Sequence, residues 1–240
     1  NYMYVTTKGI VLRRVPYKNK LIISNIYTKE YGLVAFMIKK TKEQVILSQP
    51  LNIVEITYRH SRKNKIHYVV DCSPSYIYKT LNTNGQKMLF AMFISEVLNK
   101  CLREKSIPIY QFIVEAFKWL DGVGSYISGF DSLFLIKFCE QSGIQPSFEN
   151  VNTQLPFVLN MIEGKYVNNR GQFFKNKNII PPEQSKDIFN FSKLTFDDLP
   201  RNFITIKNPN AMLDHLIKYI SIHLVNISNL KSLKVYKELI

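Results

Sequence analysis

The stretch Lys8–Lys42, KGIVLRRVPYKNKLIISNIYTKEYGLVAFMIKKTK, decides the fold. It holds three apolar runs of strand length, Gly9–Val15, Leu21–Tyr27 and Leu33–Ile38. Runs rich in β-branched residues and bounded by Pro, Asn and Gly favour strands over helices, so the stretch predicts a small antiparallel sheet. Pro16 cannot donate to a ladder, so the first strand ends there or runs along an edge. Gly32 can take the positive φ that a hairpin with a bulge needs. Most of the local Lys and Arg lie between and beside the runs. The sheet therefore gains a basic rim, which suits a nucleic-acid platform better than an active site.

Beyond the basic knot Lys39-Lys40-Thr41-Lys42, residues Gln44–Pro50 read as a connection with one short helical turn. Leu51–His60 (LNIVEITYRH) and Ile66–Val70 then form a second hairpin around Ser61-Arg62-Lys63-Asn64. Five strands joined by turns rather than helices predict a closed or partly open barrel of the OB type.

From about Ser73–Asn84 the texture changes. Phe90, Phe93, Ile94, Val97, Leu98 and Cys101 recur at three and four spacing, which predicts a helix with a broad apolar face. A second helix is expected from about Pro108 to Leu120, with Phe112, Ala116, Trp119 and Leu120 inward, and a third from Phe130 to Ser142, stopped by Gly143 and Pro146. Ser147–Ile180 reads as a small hairpin excursion around Glu163-Gly164-Lys165, with Gly171–Phe174 as a further piece. Helices resume after Pro181-Pro182 and after Asn208-Pro209, where Asn caps and Pro suits the first turn. The last long one, Ala211–Val225, should turn Leu213, Leu216, Ile217, Ile220 and Leu224 inward, and Leu230–Leu239 ends the chain. The expected fold is α+β in two domains: a barrel over residues 1–80 and a mainly helical domain over 81–240, carrying the excursion at 147–180.

The net charge is +14, and its distribution matters more than its size. Residues 1–80 carry 14 basic against 4 acidic side chains, so most of the excess sits in the first third. Such a field favours polyanions, whether nucleic acid or an anionic surface. No transmembrane helix is expected, because charge breaks the longest apolar runs well before spanning length, and no secretory leader, because the first residues lack a basic-then-apolar pattern. Cys72, Cys101 and Cys139 are odd in number and far apart, which argues against a disulfide framework and for a reducing cytoplasm. Cys101 and Cys139 read as small buried hydrophobes on apolar helical faces. With no CxxC or HxxxH spacing, and with His60, His67, His215 and His223 forming no ligand set, neither metal nor cofactor is expected.

The candidate DNA-binding residues are Arg13, Arg14, Lys18, Lys20, Lys39, Lys40, Lys42, Arg59, Arg62, Lys63 and Lys65. In a five-strand barrel they come from strand ends and hairpin tips, so several can share a face and track a phosphate backbone. One exposed lysine is ordinary solvated surface; a cluster with this charge asymmetry is more than that. Tyr17, Tyr27, Tyr31, Phe36, Tyr58 and Tyr68 interleave these positions and could stack on bases where exposed. Phe36 reads as core, whereas Tyr17 and Tyr31 lie in turns. Catalytic signals are absent: Asp197-Asp198 reads as a cap or solvated turn, and no Gly-rich phosphate loop occurs, so no enzyme is expected. Apolar-plus-basic patches around Leu102 (Lys100, Arg103, Lys105) and around Leu230 and Leu233 (Lys231, Lys234) could receive an acidic, hydrophobic-ended peptide, although cations at helix ends also simply complement the dipole.

The N-terminal stretch quoted above, together with SQPLNIVEITY, FISEVLNKCLRE and LKSLKVYKEL, resembles the bacterial recombination mediator family RecO over nearly the whole chain. The resemblance implies an N-terminal OB-fold, a helical C-terminal domain, binding of single- and double-stranded DNA, and annealing of complementary strands. It also implies partnership with RecR and with the acidic C-terminal tail of single-stranded DNA-binding protein, in RecA loading for homologous recombination and DNA repair in the bacterial cytoplasm at the nucleoid. Many family members insert a four-cysteine zinc module after the third helix. Here that place holds QPSFENVNTQLPFVLNMIEGKYVNN with only Cys139 nearby, so a zinc-less excursion is expected, held by Leu155, Phe157, Leu159, Ile162 and Tyr166. Two other functions compete: an interaction scaffold with incidental DNA binding, and a metal-dependent nuclease, for which no carboxylate constellation is visible.

Overall fold

The computed structural model describes residues 3–18, 20–61, 64–124, 127–169, 176–200 and 206–239. Five strands open the chain: β1 (Met3–Tyr17), β2 (Leu21–Thr28), β3 (Gly32–Lys39), β4 (Ile53–His60) and β5 (Ile66–Pro74). They close into a barrel in the order β1-β2-β3-β5-β4. All the pairs are antiparallel except β3 with β5. A short 3-10 turn, Val45–Ser48, fills the connection between β3 and β4, as the sequence predicts.

Alternation fills the barrel. Val5, Val11, Ile22, Ile26, Phe36, Ile38, Val54, Ile56 and Tyr58 point inward, joined by Leu47 from the 3-10 turn. Ser24, also inward, donates its hydroxyl to the Leu47 carbonyl, which ties that turn to the barrel. β1 continues through Pro16 to Tyr17. Past Ile10 it is no longer paired with β4, so Pro16 lies on an edge where its missing N–H costs no ladder bond.

The chain divides into two compact units, Asn1–Gly122 with Leu230–Ile240, and Val123–Asn229. The change from strands to helices near residue 80 is a different boundary, since the next two helices group with the barrel. In the first unit, α1 (Gly85–Cys101) lies across β1, α2 (Ile107–Gly122) follows, and α6 (Lys231–Leu239) packs on α1. Asn84 caps α1 by accepting from the Lys87 N–H at 3.0 Å. The Glu96 carboxylate caps α6 from across the gap, accepting from the N–H groups of Lys231 and Ser232 at 2.8 Å each. Tyr236 stacks on Phe93, with ring centroids 4.5 Å apart.

Asp121, at the end of α2, organises the linker between barrel and helices. Its carboxylate accepts from the N–H groups of Lys79 (3.0 Å), Thr80 (2.8 Å) and Leu81 (2.9 Å) and from the Tyr76 hydroxyl (3.2 Å). The buried Lys87 ammonium donates to the Thr80 hydroxyl at 2.7 Å and to the Asp121 carbonyl at 3.2 Å. Burial works against the Asp121 charge, but these donors outweigh it and hold the carboxyl below its usual range.

The second unit holds α3 (Phe130–Gln141), a three-stranded sheet of β6 (Phe157–Asn160), β7 (Lys165–Asn168) and β8 (Ile179–Ile180), then α4 (Pro182–Ser192) and α5 (Pro209–His223). The excursion is thus a hairpin with one added strand, while Gly171–Phe174 lies outside the described residues. Phe148 stacks on Phe189 at 3.9 Å, with Phe157 and Tyr166 edge-on around them. A cavity of about 170 Å³ adjoins this cluster, lined by Ile136, Leu159, Tyr166, Phe189, His215 and Tyr219 among others.

Several expected burials are corrected. Leu155 and Ile162 flank the hairpin rather than fill it and are 53% exposed each; Phe157, Leu159 and Tyr166 do the packing. Leu224 is exposed because α5 ends at His223. In α2 the buried line is Ile113, Ala116, Phe117 and Leu120, with Phe112 and Trp119 half-buried. Gln111, Glu115 and Lys118 form the exposed line of that helix, opposite the buried one, and Phe112 and Trp119 lie on its flank. Cys101 is half-buried at the last position of α1, and burial of its thiol pushes the pKa up to about 12; Cys139 is buried.

Candidate nucleic-acid interface

Strand register places the outward residues of the barrel. Val15 faces Ile23 across β1–β2, Ile23 faces Met37 across β2–β3, and Met37 faces Tyr68 across β3–β5. Tyr68 faces Arg59 across β5–β4, and Arg59 faces Tyr4 across β4–β1. Directly paired residues share a face, so these six side chains form one band around the outside. Its ends lie eleven residues apart on β1, because closing a barrel staggers the register. The band is therefore a helical stripe. Tyr68 and Tyr4 are 62% and 61% exposed, and the Arg59 guanidinium lies 5.9 Å from the centre of the Tyr4 ring.

One border of the band is closed by the chain itself. Asn25 donates to Asn99 of α1 at 3.0 Å, and the Tyr27 hydroxyl donates to the Glu104 carbonyl at 3.1 Å. Tyr27 therefore points outward yet is buried beneath the α1–α2 connection. At Gly32, φ is +70°, and Leu33 donates to the Arg103 carbonyl at 2.9 Å. A side chain at Gly32 would collide with that carbonyl and lie 2.8 Å from the Lys105 nitrogen.

Arg13, Arg14, Lys18, Lys20, Lys39, Lys40, Lys42, Arg59 and Lys65 are all exposed, whereas Arg62 and Lys63 lie outside the described residues. The exposed cations fall into two groups. One gathers at the β1–β2 turn and the end of β3: Lys39 faces Leu21, and Lys40 donates its N–H to the Lys20 carbonyl at 3.1 Å. Arg13, opposite Asn25, leaves the outer side of this ribbon, and Arg14, opposite the inward Ser24, leaves the other. The second group, Arg59 and Lys65, belongs to the β4–β5 hairpin, next to the start of β1. The two groups flank the Val15 and Tyr4 ends of the band. Tyr17 and Tyr31 are exposed, and the Lys18 ammonium lies 5.5 Å from the Tyr17 ring centre.

Behind the band an aromatic cluster plugs the barrel. Phe36 and Tyr58 meet edge-on at 5.0 Å, and His60 stacks on His67 at 5.0 Å. Burial pushes the Tyr58 hydroxyl up to about 12, with Tyr31 and Glu30 adding to the effect. Burial also lowers the His67 pKa, as does His60, against a backbone contact with Arg59.

Arg103 among the other candidate residues is engaged by the fold. Arg103 donates to the Asn99 carbonyl at 2.8 Å and to the Leu102 carbonyl, and so caps α1. Leu102 and Leu230 are buried, so Lys100, Lys105, Lys231 and Lys234 surround covered apolar centres. Asp198 closes a capping box with Thr195, His215 Nε2 meets Gln184 at 2.6 Å, and His223 Nε2 meets the Met161 carbonyl at 2.6 Å. Among the described residues no group of three His, Cys, Asp or Glu could hold a metal ion, and no helix is long and apolar enough to cross a membrane. Sequence reasoning missed Val15, Ile23 and Met37 as surface residues. Their signal was alternation with inward neighbours, which only the cross-strand register resolves.

Residues 3–78 match the family described as Recombination protein O N terminal. The chain is also similar to proteins named DNA repair protein RecO: 27% identical to that of Phocaeicola vulgatus, over 99% of each chain. It is 25% identical to the Flavobacterium johnsoniae protein, again over 99% of each. For the Porphyromonas gingivalis protein the identity is 23%, over 92% of this chain and 93% of the relative. The barrel thus matches the N-terminal domain of that family, and the chain is similar nearly end to end to proteins named DNA repair protein RecO.

Proposed function

We propose that the protein is a non-enzymatic recombination mediator whose barrel, residues 1–80, is an OB-fold that holds DNA. The observation that carries this reading is the set of exposed cations at both ends of the band that winds round the barrel, in a segment with 14 basic and 4 acidic residues. Neutralising phosphates on two strands lowers their mutual repulsion, so complementary strands brought to one surface can anneal. The strand order β1-β2-β3-β5-β4 with a single parallel pair agrees with an OB-fold, in which the face of strands 2 and 3 and the flanking loops receive nucleic acid.

The helices over 81–240 recruit partners in this reading: RecR, and the acidic tail of single-stranded DNA-binding protein, so that RecA is loaded onto coated strands at the nucleoid. The cavity beside Phe148 and Phe189 is a better seat for an apolar tail end than Leu102 or Leu230. Lys193 lies 3.9 Å over the Phe189 ring, and Lys137 donates to the Ser192 carbonyl at the lining, so cations stand near it. The test is annealing of complementary oligonucleotides, bare and coated with single-stranded DNA-binding protein. Acceleration in both settings is expected; failure in both contradicts the mediator reading.

A further inference from the structure

We infer that the band Val15–Ile23–Met37–Tyr68–Arg59–Tyr4 is a platform for unpaired bases, so that the barrel holds a single strand by its bases as well as by its phosphates. This rests on the DNA-binding reading above and gives it a strand preference. Five of the six side chains are apolar or aromatic, and all six lie in one continuous register across every strand pair. The cations stand at its borders. Arg13 is one position to one side of the band, opposite Asn25, and Lys65 adjoins Ile66 on that same side. Lys39, opposite Leu21, lies on the other. Positions two residues apart along a strand are about 7 Å apart, so both borders are within reach of the backbone of a strand whose bases lie on the band.

A duplex hides its base faces and offers only phosphates to a surface of this width, leaving Ile23, Met37 and Tyr68 against charged oxygens with nothing to pair. A single strand offers π-faces, which stack on Tyr rings and on the guanidinium plane of Arg59 without regard to sequence. The α1–α2 connection covers Tyr27 and α1 reaches Asn25 through Asn99, so the strand is confined to the open part of the band and crosses the β-strands rather than running along them.

The probes are labelled oligo-dT, an oligonucleotide of equal length carrying abasic sites, and a blunt duplex, each titrated by fluorescence anisotropy with wild type, Tyr68→Ala, Tyr4→Ala and Tyr68→Phe. Both tyrosines are well exposed, so neither substitution disturbs the core. Each alanine variant should bind oligo-dT at least about fivefold more weakly, while Tyr68→Phe retains binding. Affinity for the abasic strand and for the duplex should change less than about twofold, because no phosphate contact is lost. An equal loss on all three probes, or none on oligo-dT, overturns the platform while leaving DNA binding intact. Wild-type protein that binds none of the three overturns the DNA-binding reading itself.

Discussion

Met37 and Tyr68 face one another across the parallel β3–β5 pair, the join that closes the barrel. Without it, the five strands form one open sheet in the order β3-β2-β1-β4-β5, with Met37 and Tyr68 on its opposite edges; with it, the band runs unbroken round the barrel. The band's chemistry thus depends on a pairing between residues some thirty positions apart in the chain.

Gly32 is where the barrel meets the α1–α2 connection, and it tolerates no side chain. Its φ of +70° is unfavourable for other residues, and a Cβ would strike the Arg103 carbonyl. Gly32→Ala should cost about 1–3 kcal/mol, read as a lower urea midpoint with unchanged slope. Wild-type stability in the variant would show that the connection yields freely.

Asp121→Asn removes the charge that four donors converge on, beside the Lys87 ammonium. A loss of about 2–4 kcal/mol is expected, since buried donors lose their charged acceptor. Because the folded-state carboxyl sits below its ordinary 3.8, its contribution is present above that pH and is lost as pH falls through the depressed value. Melting curves between pH 2 and pH 5 should therefore converge for variant and wild type at the acid end.

The His60–His67 stack predicts a second pH dependence, in a higher window. The folded state disfavours protonated His67, whose pKa is lowered from 6.5, while the unfolded chain accepts the proton. Stability is full above about 6.5 and falls as pH drops from there through the folded-state value. His67→Phe should flatten the melting temperature between pH 7 and pH 5; an unchanged slope would assign the effect to other groups.

The strands were legible because β-branched runs and turn residues are local signals: Pro16, Gly32 and the alternation of Leu21–Tyr27 fixed three of them. The helix starts at Asn208-Pro209 and Pro181-Pro182 were legible for the same reason. What escaped was long-range. Tyr27 is outward yet buried because a segment near residue 104 covers it, and no spacing within β2 reveals that. Ile23 and Met37 look like core until the register puts them outside. Leu102 and Leu230 looked like exposed centres of basic patches, whereas packing between α1 and α6 and the cap from Glu96 account for that part of the surface.

The most direct measurement is the salt dependence of DNA affinity for wild type and for the combined Arg13→Glu, Lys39→Glu and Lys40→Glu variant. Each lost phosphate contact should reduce the slope of log affinity against log salt by about 0.7–0.9, so the variant should bind far more weakly at low salt and with a shallower slope. Unchanged affinity and unchanged slope would contradict the assignment of this barrel face to DNA.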